Sequence, residues 1–301
     1  MDNHYRSCGF RDGIAMTKKV PFNFGGLPKE YASYGKAKIV VLPLPFDKTS
    51  TWGKGADKGP KAIIEASRNM ELYDIETATE VYEQGIFTDK PLNAATAEKL
   101  AAVSHAKVKS LLADDKFVVC LGGEHSISAG PLKAHVERYP DMSVLHLDAH
   151  SDRRDSYLGS KYNHACIMAR AQDMCKTCVS VGIRSMDSTE LQRARRDRIF
   201  YAHELTADWI PRVVASLTKD VYITIDLDVF DPGVMPSTGT PEPGGLSWQQ
   251  VNSLMNAVSK SKNIVGLDVV ELAPGKFNKA PDFLAAKLIY RILSQKFSRG
   301  F

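Results

Sequence analysis

Three short segments of the sequence place carboxylate and imidazole side chains directly after an apolar run. Each run has the composition of a buried β-strand. The runs and the polar residues that follow them are Phe117–Leu121 with His125, Ser143–Leu147 with Asp148, His150 and Asp152, and Val221–Ile225 with Asp226 and Asp228. Alternate side chains of an extended chain point to the same side, so the members of the second and third sets are expected to converge.

This convergence predicts a metal centre because it concentrates negative charge. The carboxylates of Asp148, Asp152, Asp226 and Asp228 would share a pocket with little water, and each one without a counter-charge would cost several kcal/mol. Protonation of some carboxylates, or simple strand-end hydrogen bonding, are the alternatives. Two divalent cations neutralise all four charges and take the histidines as neutral ligands. Oxygen-rich ligation without thiolates favours Mn²⁺ over structural Zn²⁺.

The elements that must position these residues follow an alternating pattern. Short β-rich runs alternate with longer helical segments, which is typical of a parallel sheet covered on both faces. We predict strands over Lys38–Leu42, Phe117–Leu121, Ser143–Leu147, Val179–Ile183, Val221–Ile225 and Ile264–Val270. We predict helices after Gly59 and Pro60, over Thr96–Leu112, from Ser247 with Gln250 in a capping box, and from about Pro281 to Phe297. Such sheets bind ligands beyond the carboxyl ends of their strands, where the polar clusters fall.

The chain shows no internal boundary. No repeat, low-complexity tract or flexible linker divides its 301 residues, so we predict one domain over residues 31–301 and an N-terminal extension over residues 1–30. Proline and glycine concentrate in Asp231–Gly245, directly after a predicted strand. A long irregular loop in that position is often functional.

Composition excludes several classes of protein. The 39 basic and 35 acidic residues leave a net charge of +4, too small to indicate nucleic-acid binding. No apolar run approaches the roughly 18 residues of a membrane span, and Met1–Met16 does not resemble a secretory signal. We predict that the run Arg193–Arg198 forms a solvated helix face. The five cysteines form no disulfide pattern, which favours a cytoplasmic protein. Cys175 and Cys178 form one C-x-x-C, but a zinc site would need a second pair of ligands and the sequence shows none. Any function of this pair stays open.

These motifs also carry a family resemblance. GGEHS, DAHSD, DLDVFDP, STGTPEPGGLS and DVVELAP, in this order between Ile39 and Phe297, resemble the ureohydrolase family of arginases and agmatinases. The resemblance implies an α/β fold of three layers, α/β/α, around a central, mainly parallel sheet. It also implies two Mn²⁺ ions per chain and a homo-oligomer, a trimer or a hexamer.

The resemblance further implies a role for each polar residue. His125 and Asp152 would bind one metal, His150 and Asp228 the other, and Asp148 and Asp226 would bridge the two. A hydroxide held between the metals, oriented by Asp152, would attack the carbon of a small guanidinium substrate. Two catalytic residues complete the set: Glu271 would pair with the guanidinium group, and His164 would carry a proton to the leaving amine.

The substrate is less closely defined by the sequence. The asparagine with which arginases read a substrate carboxylate is missing after Asp152, so the motif is similar to that of prokaryotic agmatinases, which produce putrescine and urea. N1-aminopropylagmatine, guanidinobutyrate and arginine remain alternatives. Arg153 and Arg154 either contact an acidic substrate or, as we expect, point to solvent or pair with Asp155. A more distant alternative is a zinc amide deacetylase with an arginase-like fold.

Overall fold

Eight strands form one parallel sheet at the centre of the molecule. The computed structural model describes residues 20–194 and 198–298. The strands lie in the order β2-β1-β3-β8-β7-β4-β5-β6, and every pair is parallel. Their bounds are β1 Ile39–Leu44, β2 Ile86–Thr88, β3 Phe117–Gly122, β4 Ser143–Leu147, β5 Thr177–Ile183, β6 Ile199–Tyr201, β7 Asp220–Asp226 and β8 Asn263–Val270.

Helices cover both faces of this sheet. Their bounds are α1 Lys29–Ala32, α2 Gly59–Ser67, α3 Ala97–Ala113, α4 Ala129–Arg138, α5 Ile167–Met174, α6 Trp209–Ser216, α7 Trp248–Ser261 and α8 Ala280–Phe297. One apolar cluster joins α2, α6, α7 and α8 to one set of alternate strand residues. Two further clusters join α3, α4 and α5 to the opposite set. The predicted three-layer α/β/α architecture is thereby confirmed.

Local sequence signals account for the helix starts. The Ser247 hydroxyl accepts from the backbone N–H of Gln250 at 3.2 Å, and the Gln250 side chain accepts from the backbone N–H of Ser247 at 2.9 Å. This is the predicted capping box, which satisfies two otherwise unpaired donors. Thr96 caps α3 with a single bond, since its hydroxyl accepts from the backbone N–H of Lys99. The six predicted strands are all present, with ends that differ by up to two residues.

The arginine run differs from its predicted form where the structure describes it, and the N-terminal extension is described only from residue 20 onward. Arg193 follows a 3₁₀ turn and pairs with Asp155 and Asp173, and Arg198 lies against a cavity wall, so the interpretation of this run as a solvated helix face is wrong for both residues. Residues 195–197 of the run lie outside the described part. So do residues 1–19 of the proposed N-terminal extension; within its remainder, Phe24 and Leu27 pack into the core. In the described ranges, no helix combines the length and the apolar character that crossing a bilayer requires.

Candidate active site

The predicted site residues converge at the carboxyl ends of four neighbouring strands. In the sheet order, β3, β8, β7 and β4 lie side by side. His125 follows β3 and Glu271 follows β8, while Asp226 ends β7. The residues that follow β4 are Asp148, His150 and Asp152. Residues far apart in sequence therefore meet because parallel strands end at the same edge.

His125 lies at the centre of a group of carboxylates. Its Nδ1 is 3.2 Å from Oδ2 of Asp148, 3.3 Å from Oδ2 of Asp152 and 3.4 Å from Oδ2 of Asp226. This Nδ1 is buried and has no partner that meets hydrogen-bond geometry. All four side chains are almost fully buried. The arrangement is what a metal ligand set requires, because several ligand atoms face one point.

A second group forms around His150. Its Nδ1 lies 2.9 Å from Oδ2 of Asp228 and 3.6 Å from Oδ1 of Asp148. The other oxygen of Asp148 faces His125, so this one carboxylate belongs to both groups. Asp228 is held in place because its Oδ1 accepts from the backbone N–H of Ala149 at 3.0 Å. The shared carboxylate gives the site the form of two adjacent ligand sets.

The backbone is unusual at two of these residues. Asp152 has φ = 54° and Glu271 has φ = 66°, both in the left-handed region that L-residues other than glycine rarely adopt. Such strain persists only where the surroundings fix it, and it concentrates at functional sites. For Glu271, Oε1 accepts from the backbone N–H of His125 at 2.8 Å, and its own N–H donates to the Gly123 carbonyl at 2.9 Å. Glu271 is thus fixed directly beside a candidate ligand.

The hydrogen bonds on the far side of His125 fix the orientation of its ring. Thr224 donates its hydroxyl to Oδ1 of Asp268 at 2.6 Å, so it has only a lone pair for Nε2 of His125, 2.8 Å away. Nε2 must therefore carry a proton, and Nδ1 is the ring atom that faces the three carboxylates. Despite burial, their charges raise the pKa of His125 well above its usual value, so they attract a positive charge to this point, either a second ring proton or a metal ion that takes the Nδ1 lone pair.

The charges of the site support the same fit. Burial raises the pKa of Asp226 well above its usual value, and the charges of Asp228 and Asp148 raise it further. Burial also raises the pKa of Asp152 to about 6, aided by the charge of Asp148. Like charges in a dry pocket oppose ionisation, and divalent cations would relieve that opposition.

A second hydrogen-bonded chain reaches Asp148 from behind. Arg153, which can only donate, gives Nη2–H to Oγ of Ser180 at 2.7 Å. Burial lowers the pKa of His146 to about 4, so its ring is neutral and has one N–H. His146 donates this Nε2–H to Oδ2 of Asp148 at 2.7 Å, and its Nδ1 therefore accepts the hydroxyl proton of Ser180, 3.0 Å away. His146 lies close enough to join the first ligand group. Because its Nε2 carries a proton toward Asp148, it orients that ligand and does not bind a cation itself.

Sequence reasoning missed His146 and Asp268, although both carried a signal. His146 stands two residues before Asp148, which continues the alternation that placed His150 and Asp152 on one side. Asp268 interrupts an otherwise apolar strand, and a charged residue there needs hydrogen-bonding partners, which Thr224 and other neighbours supply.

An open cavity of about 310 Å³ lies over the two ligand groups. Glu271, His164, Tyr157 and Thr240 are among the residues that line it. The Thr49 hydroxyl accepts from the backbone N–H of His164 at 3.0 Å and lies 3.1 Å from its Nδ1. Burial lowers the pKa of His164 to about 4. The predicted catalytic residues therefore share one cavity with the candidate ligands.

The two arginines after Asp152 do not behave as expected. Arg153 is buried and turned away from solvent, and neither arginine pairs with Asp155. Arg154 lines the cavity, where it lies 3.2 Å from Asp187 and stacks over the Tyr157 ring at 4.4 Å. The expectation that they point to solvent or pair with Asp155 is wrong, because β4 and the turn after it direct both inward.

Fold and site together define an α/β/α enzyme with a candidate binuclear metal centre. The Arginase family matches residues 37–294, and the chain belongs to that family. Among its relatives is an N(1)-aminopropylagmatine ureohydrolase of Thermus thermophilus, 39% identical over 87% of this chain and 92% of the relative. An agmatinase of Pyrococcus horikoshii is 34% identical over 85% of this chain and 91% of the relative. The crystal structure of agmatine ureohydrolase of Thermoplasma volcanium superposes with a TM-score of 0.83 at 30% identity, covering 92% and 95% of the two chains. The chain is a hydrolase of the ureohydrolase type, as the motifs predicted.

Proposed function

We propose that this protein hydrolyses agmatine to putrescine and urea. The observation that carries the proposal is the cavity in which two ligand groups share Asp148 and open beside Glu271. A guanidinium carbon is a poor electrophile because resonance spreads its positive charge. Its hydrolysis needs an activated water and a fixed anionic partner for the cation, and the cavity offers residues for both.

We propose two Mn²⁺ ions as the resident metals. His125 and Asp152 would hold one, His150 and Asp228 the other, and Asp148 and Asp226 would bridge them. Asp148 best supports a bridging role, since its two oxygens face the two histidines. The bound pair would lower the pKa of a water molecule and offset the four carboxylates.

The remaining chemistry falls to Glu271 and His164. Glu271 would hold the guanidinium group by charge-assisted hydrogen bonds and fix its carbon. A water oxygen adds to that carbon, and the bond from carbon to the alkyl nitrogen breaks. His164 delivers a proton to this nitrogen, so the products are urea and an alkylammonium. Asp152, already within the first group, would orient the attacking water.

A longer substrate, N1-aminopropylagmatine, is the second candidate. It carries a further ammonium group beyond the four-carbon chain of agmatine. Glu242 approaches His150 at 3.7 Å, and its carboxylate would be the partner of this ammonium group. The name of the Thermus thermophilus relative supports this candidate as well.

Acidic substrates are less well supported. Arginine and guanidinobutyrate would need a cationic partner for their carboxylate, and Arg154 is the cavity's candidate. Its guanidinium is already engaged by Asp187 and lies 3.7 Å from Glu190. A zinc amide deacetylase would need one metal per chain, so two metals measured per purified chain would exclude it.

Urea release in the presence of Mn²⁺ tests the proposal directly. We expect turnover with agmatine or N1-aminopropylagmatine and much slower turnover with arginine and guanidinobutyrate. Urea from arginine alone would overturn the assignment.

We further propose that residues 31–301 act as one catalytic domain in a cytoplasmic homo-oligomer, a trimer or a hexamer, that serves putrescine and polyamine biosynthesis. Support comes from the family and from the undivided sheet. Light scattering measures the mass of the protein in solution and tests whether it forms a trimer or a hexamer.

A further inference from the structure

A second cavity lies behind the active site and is lined by positive charge. Its volume is about 260 Å³. The residues around it are Arg153, Arg193, Arg198, Lys176, Gln172, Gln192, Cys175 and Cys178. Four of the eight are cationic, and none is acidic. Two motifs without a role in the reaction, the C-x-x-C pair and part of the arginine run, meet in this one place.

Arg153 is the most informative residue of this cavity. Its side chain is among the largest that are fully buried, with 2% exposure, yet its Nε has no hydrogen-bond partner. Its other nitrogens donate only to neutral oxygens, those of Ser151 and Ser180. Within the described ranges it forms no ion pair with a carboxylate. A buried guanidinium that no carboxylate contacts is costly, and the charges of Glu190 and Asp152 offset this cost only from a distance.

The other cations differ in how far they are already neutralised. Arg193 pairs with Asp155 and Asp173. Arg198 donates to the backbone carbonyl of Lys176 and, in the part of the chain that the structure describes, forms no ion pair. Within the described residues, Arg153 and Arg198 are therefore the two guanidiniums of this cavity that no carboxylate pairs with, and Lys176 is a further cation at its wall.

We propose that this cavity binds a small inorganic oxyanion of the phosphate type, held by Arg153 and Arg198. Guanidinium groups pair with such anions through two parallel hydrogen bonds. A cation at Cys175 and Cys178 is disfavoured by the same four positive charges. The volume is ample for a tetrahedral oxyanion.

The site is connected to the metal centre. Arg153 begins the directed chain through Ser180 and His146 to Asp148. An anion on Arg153 would fix the rotamer that starts this chain. The oxyanion site would therefore act as a structural support for the carboxylate shared by the two ligand groups, although its existence does not depend on the proposed substrate.

Isothermal titration of the metal-loaded protein with sodium phosphate, at constant ionic strength, tests the site. We expect saturable binding that Arg198→Gln weakens about tenfold or more, since one charge-assisted contact is lost. Lys176→Gln, which leaves both guanidiniums in place, should weaken it less. Arg138→Gln is the matched control, because it removes the same charge from an exposed residue paired with Asp115.

Three results would overturn the proposal. The first is no saturable binding to the unmodified protein. The second is equal affinity for the unmodified protein and Arg198→Gln, which would place the phosphate at the metal ions or elsewhere. The third is an equal loss of phosphate affinity in Arg138→Gln, which would show that the affinity depends on net charge and not on this cavity.

Discussion

Glu271 accepts a hydrogen bond from the backbone N–H of His125 at 2.8 Å, so the proposed guanidinium partner is tied to the main chain of a proposed metal ligand. One oxygen serves this contact, and the other would remain for the proposed substrate. Glu271 has a left-handed backbone and lines the open cavity. The proposed substrate contact and the proposed metal contacts would therefore be adjacent but use different atoms.

Glu271→Gln should separate these two roles. The amide oxygen can still accept from His125, while the charge that attracts the guanidinium is lost. We expect kcat/KM to fall about 10- to 100-fold, the value of a charged hydrogen bond, with two metals retained per chain. Steady-state kinetics and metal analysis of the same preparation check this. Loss of a metal would instead make Glu271 a ligand.

Asp228→Asn should remove one metal and most activity. Asp228 and His150 are the closest ligand pair of the second group, and an amide is a much weaker ligand than a carboxylate. We expect about one metal per chain and a kcat at least about 100-fold lower, since a two-metal site positions the water as well as activating it. Circular dichroism should show the fold unchanged. Turnover equal to that of the unmodified protein would refute the ligand assignment.

Ser180→Ala should weaken metal binding without touching a ligand. The change removes the hydroxyl that donates to Nδ1 of His146, so that ring is free to rotate or change tautomer and no longer orients Asp148. Loss of an outer partner typically costs 10–100-fold in metal affinity, and competition with a chelator measures it. Ser294→Ala, which removes a buried hydroxyl bonded to the Tyr290 carbonyl within α8, is the control and should leave metal affinity intact.

Thr49→Val should impair proton transfer more than binding. Valine keeps the shape but lacks the hydroxyl that contacts His164 twice. We expect kcat to fall about tenfold, part of the contribution usual for general acid catalysis, with KM nearly constant and a displaced pH profile. Thr49→Ser should restore both quantities. A Thr49→Ser variant as poor as Thr49→Val would mean that the methyl group, not the hydroxyl, matters.

His135 predicts how stability depends on pH. Burial lowers the pKa of this histidine to about 4, from 6.5 in the unfolded chain. The unfolded chain therefore binds more protons below pH 6.5, so this contribution to stability is complete above pH 6.5 and is lost as the pH falls toward 4. We expect about 2 kcal/mol to be lost between pH 7 and pH 4.5. Urea unfolding at several pH values measures the free energy of unfolding of the unmodified protein and of His135→Asn. Between pH 7 and pH 4.5 it should fall by about 2 kcal/mol more in the unmodified protein. An equal fall in both proteins would contradict the prediction.

The sequence was sufficient for the elements that repeat a simple rule. Continuous apolar runs identified the central strands, and the alternation after β4 placed Asp148, His150 and Asp152 together. The chain from Arg153 to His146 could not be found in this way, because Ser180 joins it from β5, 27 residues away. The edge strands β2 and β6 were missed for another reason: each has three residues, too few to show a period.

Those two edges have a consequence for how the protein behaves at high concentration. A parallel sheet exposes unpaired backbone donors and acceptors along its outermost strands, and a long flat edge can template the addition of a foreign strand. Here both outermost strands, Ile86–Thr88 and Ile199–Tyr201, are too short to offer more than a few such groups. The sheet is thus closed to lateral growth, and strand-by-strand polymerisation of the folded protein is disfavoured.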